Sequence, residues 1–229
     1  MFQLRTPRLV CGTDIQFDQK ALEAGTCGLF RAPLDRAYSA MPYMTPLIAS
    51  AVDLVGVNNA TDWEVDIKVH MLMPGQYPCI PNWHTDMVPR DDSGLRFDLI
   101  KGDEPPMYLW ISDGPETEFL ARPQVMDVQP GSHREIARFI RRAGPDPQVI
   151  NGGADGWEPR PTFPTQSIQP NCWWAMDQQT PHRGTAATKH GWRVFARLTH
   201  KSMAPQRNRE APVHRRHAQV YLDAREFGW

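Results

Sequence analysis

Residues 63–75 read Trp-Glu-Val-Asp-Ile-Lys-Val-His-Met-Leu-Met-Pro-Gly, and this stretch decides the fold class. Val65, Ile67, Val69 and Met71 take every second position, with Asp66, Lys68, His70 and Leu72 between them. A period of two puts the first set on one face of a strand and the second on the other, the pattern of a half-buried β-strand. Pro74-Gly75 then supplies turn residues to end it. The change is abrupt, because the preceding 60 residues read mainly as helix. Asp14 to Ala24 stops at Gly25, and Thr45 to Val55 sets Leu47, Ile48, Ala51, Val52 and Val55 at helical spacing.

Beyond the turn, short strands are predicted at Met107 to Ser112, Glu118 to Ala121, Val125 to Val128, Cys172 to Met176 and Trp192 to Thr199, with Gly- and Pro-containing turns between them. One helix interrupts them. Ser132-His-Arg-Glu135 is a capping box, Ile136, Phe139, Ile140 and Ala143 form an apolar face, and Gly144-Pro145 ends the helix. Residues 146–170 are rich in Pro and Gly without periodicity, which predicts a long ordered loop of the kind that serves as a lid or rim. The 22 prolines are scattered rather than clustered, as a turn-rich β fold requires. The expected architecture is mainly β with helices: one domain over 1–229, with a jelly-roll (double-stranded β-helix) core at about 63–200. An N-terminal helical layer (1–62), one inserted helix and a basic C-terminal extension (201–229) complete it.

With 25 Lys plus Arg against 26 Asp plus Glu, the chain has no global charge that calls for nucleic acid or an acidic membrane. Residues 201–217 differ, carrying Lys201, Arg207, Arg209, Arg215 and Arg216 against Glu210 alone. That segment reads as a solvated tail or as a contact for an anionic or macromolecular partner. No run approaches the ~18 apolar residues of a membrane span, and Met1 to Val10 lacks the apolar stretch of a signal peptide. The expectation is a cytoplasmic protein without membrane association. Cys11, Cys27, Cys79 and Cys172 form no C-x-x-C pair and read as buried thiols.

The chemistry lies in His84-Thr-Asp86 and a distant Pro181-His182-Arg183. In an extended segment residues i and i+2 point the same way, so His84 and Asp86 converge while Thr85 faces away. A second His from another strand completes a 2-His-1-carboxylate set, the ligand type of non-haem Fe(II) oxygenases. His-x-Asp alone is a weak signal; its combination and order with later motifs carry the weight. Further on, Trp192 to Thr199 alternates so that Arg193, Phe195, Arg197 and Thr199 share one face. Two arginines on an inward face are costly to bury unless an anion neutralises them, and a guanidinium fork matches a carboxylate. The alternative is an edge strand with its arginines in water, and Arg197 has the further option of an acidic side-chain partner. His70 sits on the less apolar face of its strand, where it reads as lining the site or as a hydrogen-bonded structural histidine. His133 opens the capped helix, where a solvent-facing position is expected. Trp83, Trp110, Trp173 and Trp174 read as core residues, with one or more of the last three as candidates to line a pocket.

These pieces resemble the phytanoyl-CoA dioxygenase-like branch of the Fe(II)- and 2-oxoglutarate-dependent oxygenases. The resemblance is carried by Asn82-Trp-His-Thr-Asp86, Gln129-Pro-Gly-Ser-His-Arg134, Pro181-His-Arg183 and Arg193, in that order and with Arg193 lying 11 residues beyond His182. It covers roughly residues 63–200. It implies that His84, Asp86 and His182 bind Fe(II), and that Arg193, with Arg197 in reserve, binds the 2-oxoglutarate cosubstrate. The implied enzyme is an oxidoreductase, a dioxygenase that hydroxylates a C–H bond with release of succinate and CO2. Where related sequences often carry a Ser and an Asn after the late His, this chain has Gly184 and Ala187. A cupin is disfavoured because no His-x-His occurs. The alternatives are a catalytically silent jelly roll used for binding or assembly, and an oxygenase acting on nucleic acid or protein through the basic tail rather than on a small molecule.

Overall fold

The computed structural model describes residues 1–25, 27–142, 163–203 and 213–215. Its strands are β1 (Phe2–Leu4), β2 (Arg8–Gly12), β3 (Cys27–Pro33), β4 (Trp63–Leu72), β5 (Arg90–Asp91), β6 (Gly94–Leu95), β7 (Met107–Ile111), β8 (Thr117–Leu120), β9 (Gln124–Met126), β10 (Thr165–Ser167), β11 (Cys172–Met176), β12 (His182–Gly184), β13 (Gly191–His200) and β14 (Val213–Arg215). The α-helices are α1 (Gln19–Ala24), α2 (Ala37–Ala40), α3 (Thr45–Val55) and α4 (His133–Arg142). The largest sheet has the order β14-β3-β4-β13-β7-β11-β2, and a three-stranded sheet has the order β10-β8-β12. All pairings in both are antiparallel. The protein is thus mainly β with helices. No helix among the described residues is long and apolar enough to cross a membrane.

The register of β4 against β13 places the site. They pair over their full lengths, from Leu72 opposite Gly191 to Trp63 opposite His200. Directly opposed residues share a face, so Val69/Val194, Ile67/Ala196 and Val65/Leu198 lie on one side, and His70/Arg193, Lys68/Phe195 and Asp66/Arg197 on the other. The apolar side packs with Trp110 and Trp173 against α3, which buries Leu47, Ile48 and Ala51. Each large aliphatic side chain buried there contributes about 1.5 to 3 kcal/mol. Pro46 in the first turn of α3 and Gly56 beyond its end, at φ 84, define the helix. The polar side of β4 and β13 looks toward the smaller sheet across a separate cluster that includes Leu109, Ile111, Phe119, Ile168 and Met176.

The N-terminal region departs from its helical expectation. Only Gln19–Ala24 of the 14–24 segment is helical, because Asp18 accepts the Ala21 N–H at 3.0 Å and starts the helix there. The first 33 residues supply three strands, with β2 at the edge of the large sheet against β11 and β3 against β4. Long-range pairing has overridden local preference in segments too short to show a period. The capping box forms in part: Glu135 N–H donates to Ser132 Oγ at 3.3 Å, while the Glu135 carboxylate accepts from Gly131 N–H at 2.9 Å, one residue before the cap. Ile136, Ala137 and Ile140 then pack with Trp83 and Phe97, fixing α4 beside the segment that carries His84. The 146–162 part of the expected loop and most of the 201–229 extension lie outside the described residues.

Candidate metal centre

His84 and His182 are tied together before any ion is considered. The His84 N–H donates to the His182 carbonyl at 3.0 Å and the His182 N–H donates back at 2.9 Å. One reciprocal backbone pair, His84 with His182, brings together residues from distant parts of the chain. It leaves their ring centroids 4.4 Å apart. Each ring nitrogen Nδ1 faces the carbonyl two residues earlier, Asn82 O at 2.8 Å for His84 and Thr180 O at 3.2 Å for His182. A carbonyl only accepts, so Nδ1 is the donor in both rings, which leaves Nε2 as the ligand atom. Backbone carbonyls that hold an imidazole in this tautomer are the usual support of a metal-binding histidine.

Asp86 completes the group: one ligand atom from each of His84, Asp86 and His182 lies within 4.8 Å of the others. The two histidines are buried, while the Asp86 side chain is 23% exposed. Burial, with His182 beside it, pushes the His84 imidazole down to about 3, so the ring is neutral and available as a ligand near neutral pH. The Arg197 guanidinium holds the Asp86 carboxyl well below the ordinary carboxylate range, against the opposing effect of burial. The next residue, Met87, has φ 58, a left-handed backbone that non-glycine residues rarely adopt, and its side chain packs on the inter-sheet cluster. Two imidazoles and one carboxylate suit a divalent first-row metal such as iron and leave coordination positions open.

Arg197 does not stand free on β13. It donates from Nη1 to Asp86 Oδ2 and from Nη2 to Asp66 Oδ2 at 2.7 Å, while Arg31 Nε reaches Asp66 Oδ1 at 2.6 Å. The result is an alternating row Arg31–Asp66–Arg197–Asp86 that orients the carboxylate of the metal group. Arg193 shares the face but not the pairing. It is 1% exposed, and its hydrogen bonds go from Nε to Pro115 O at 2.9 Å and from Nη2 to Thr117 Oγ1 at 3.2 Å. Among the described residues no carboxylate is within ion-pair distance of it. Burial accordingly lowers its guanidinium to about 10.

Two neighbours, His133 and Gly184, were not legible as site residues, and His70 was legible only as one of two alternatives. His133 is half-buried, with its ring 6.1 Å from that of His84, and its Nε2 meets Thr85 Oγ1 at 3.3 Å. Burial, reinforced by Arg90, lowers it to about 4. Gly184, two residues past His182, is where Cys79 comes close: a Cβ there would lie 2.9 Å from Cys79 Sγ and 3.0 Å from its carbonyl oxygen. A serine has no room at this position, which accounts for the glycine. His70 faces inward and is completely buried. Of the tryptophans, Trp83, Trp110 and Trp173 are core residues, the latter two donating to Thr13 Oγ1 and Ser50 Oγ on the helical side of the large sheet, while Trp174 packs against the inter-sheet cluster. Arg183 is engaged with Glu118 at 2.5 Å and lies over the Trp83 ring.

No protein-family model matches the chain, and no match is found among curated proteins.

Proposed function

We propose that the protein is an Fe(II)- and 2-oxoglutarate-dependent oxygenase that hydroxylates a substrate C–H bond. We further propose that its two facing sheets form a double-stranded β-helix, as in the phytanoyl-CoA dioxygenase-like branch that the sequence motifs resemble. The observation that carries the reading is the pairing of a preorganised His84–Asp86–His182 group with a buried, charge-uncompensated Arg193 on the same inter-sheet face.

His84 and His182 would hold the iron through Nε2 and Asp86 through its carboxylate. When bound there, Fe(II) with 2-oxoglutarate supplies oxidative decarboxylation to succinate and CO2, coupled to hydroxylation of the substrate. The chain's own residues provide the setting. Arg197 fixes the Asp86 carboxylate by charge and hydrogen bond and holds it beside His182. Arg193 offers a bidentate fork to the distal carboxylate of 2-oxoglutarate, with Thr117 and the Pro115 carbonyl holding the guanidinium in place. Leu109, Ile111, Phe119 and Met176 keep the space between the sheets apolar and exclude water.

The test is anaerobic addition of Fe(II) and 2-oxoglutarate to the full chain, followed by oxygen. The expected result is a visible metal-to-ligand charge-transfer band and then succinate, with metal content lost in His84→Ala and His182→Ala. Protein that shows neither band nor succinate, with metal content unaffected by those substitutions, rules the reading out.

A further inference from the structure

His70 presents a buried polar group that the metal centre does not use. Its side chain is completely buried, and among the described residues neither Nδ1 nor Nε2 has a hydrogen-bond partner. Buried polar atoms in folded proteins are almost always satisfied, and an orphaned imidazole at an inward position points to a group that arrives later. Its surroundings say which kind. His70 is directly opposed to Arg193 across the β4–β13 pair, so the two side chains stand next to one another on the face that looks between the sheets. Lys68 is on the same face two residues earlier, with Nζ donating to Pro78 O at 2.9 Å. Burial, together with the positive charges of Lys68 and Arg193, drives the His70 ring down to about 2, so it is neutral at working pH.

We infer that His70 is a ligand-binding residue whose ring N–H donates to a carboxylate oxygen of the small dicarboxylate held by Arg193, with Lys68 supplying a second positive charge. The chemistry is consistent on each count. A carboxylate only accepts hydrogen bonds, and a neutral imidazole always has one N–H to give. Arg193 and Lys68 place positive charge beside His70 that suits an anion, and a further charge on His70 would be repelled by both. The assignment rests on the cosubstrate reading proposed above and adds to it a residue that no motif marks.

The experiment uses the full chain loaded with Mn(II), which binds in place of iron without turnover, and measures the binding of 2-oxoglutarate and of 2-oxopentanoate by titration calorimetry. The second compound has the same chain length without the distal carboxylate. His70→Leu is expected to weaken 2-oxoglutarate by about tenfold or more, the worth of one hydrogen bond to a charged group. The same substitution is expected to leave Mn(II) and 2-oxopentanoate affinities unchanged and the ligand-free melting temperature no lower than wild type. His70→Gln, which keeps a donor, is expected to recover part of the loss and serves as the readout if His70→Leu does not fold. Unchanged 2-oxoglutarate affinity in both variants overturns the inference and leaves the cosubstrate reading standing, as does an equal loss for both oxo acids. Wild-type protein that binds Mn(II) but not 2-oxoglutarate overturns the cosubstrate reading and this inference with it.

Discussion

Arg193 and Arg197 lie four residues apart on one face of one strand, both withdrawn from solvent, and they are electrostatic opposites. Arg197 sits between two carboxylates, Asp66 and Asp86, and those partners raise its guanidinium above its ordinary value despite burial. Among the described residues Arg193 is bonded only to neutral oxygens, and burial lowers it. The Arg197 end of the strand is closed: its charges cancel within the chain. The Arg193 end is open, because a buried cation without a counter-charge is a cost that folding does not recover from the chain itself.

The sharpest way to break this comparison is to remove each arginine in turn. Arg197→Met leaves the partly exposed Asp86 and one oxygen of the buried Asp66 without their partner, and is expected to cost about 3 kcal/mol in urea unfolding of the metal-free protein. Arg193→Met strands no carboxylate and is expected to stay within about 1 kcal/mol of wild type, or to stabilise. Equal destabilisation by the two would collapse the distinction. The second effect is on ligand: Arg193→Met is expected to weaken 2-oxoglutarate by about 30- to 100-fold, with metal affinity retained. Retained cosubstrate affinity would move the anion elsewhere.

A smaller, graded effect comes from pH. Burial lowers Lys68 to about 8, so its charge disappears from the open end as pH rises through 8. Dicarboxylate affinity is expected to fall from pH 7 to pH 10. The contribution of Lys68 to ligand-free stability is expected to change in the other direction, rising between pH 8 and the ordinary lysine value because there the unfolded chain holds a proton that the folded chain has released, and it is opposed above pH 9 by Cys79, which burial raises to about 11. On the acid side, His70, His84 and His133 are all lowered, to about 2, 3 and 4, so the unfolded chain binds protons first and stability is expected to fall as pH drops below about 6.5. A pH-independent unfolding free energy between pH 4 and 7 would contradict this. The smallest effect is expected from Thr117→Val, which removes one bond that steadies Arg193 and should cost about 1 kcal/mol of stability.

What could be read in the sequence followed from periodicity and from chemistry confined to a few neighbouring residues. The alternation in 63–72 and 192–199 gave strands with the correct faces, so Arg193 and Arg197 were both expected to point inward, and they do. His84 and Asp86 converge for the same reason, and the Ser132–Glu135 box needs only four residues to declare itself. The missed features all depend on what lies opposite. Arg8–Gly12 is a short edge strand, mostly exposed, with no alternation to detect. The difference between the two arginines arises because Asp66 lies across from one of them and His70 from the other. His133 becomes a neighbour of His84 only once α4 is packed, and the lack of partners at His70 is a property of the space between two sheets.

The place of β13 also sets the order in which the protein can be made. It is a late strand, beginning at Gly191, yet it lies between β4 and β7 in the large sheet. A ribosome that has released residues 1–190 has delivered His84, Asp86 and His182, but neither arginine. Until the next ten residues emerge, β4 and β7 each have an open edge facing the gap and Asp86 has no guanidinium beside it. Insertion of this one strand closes the sheet and brings Arg197 to Asp86 in a single late event, and until then the unfinished chain exposes two unpaired strand edges to aggregation.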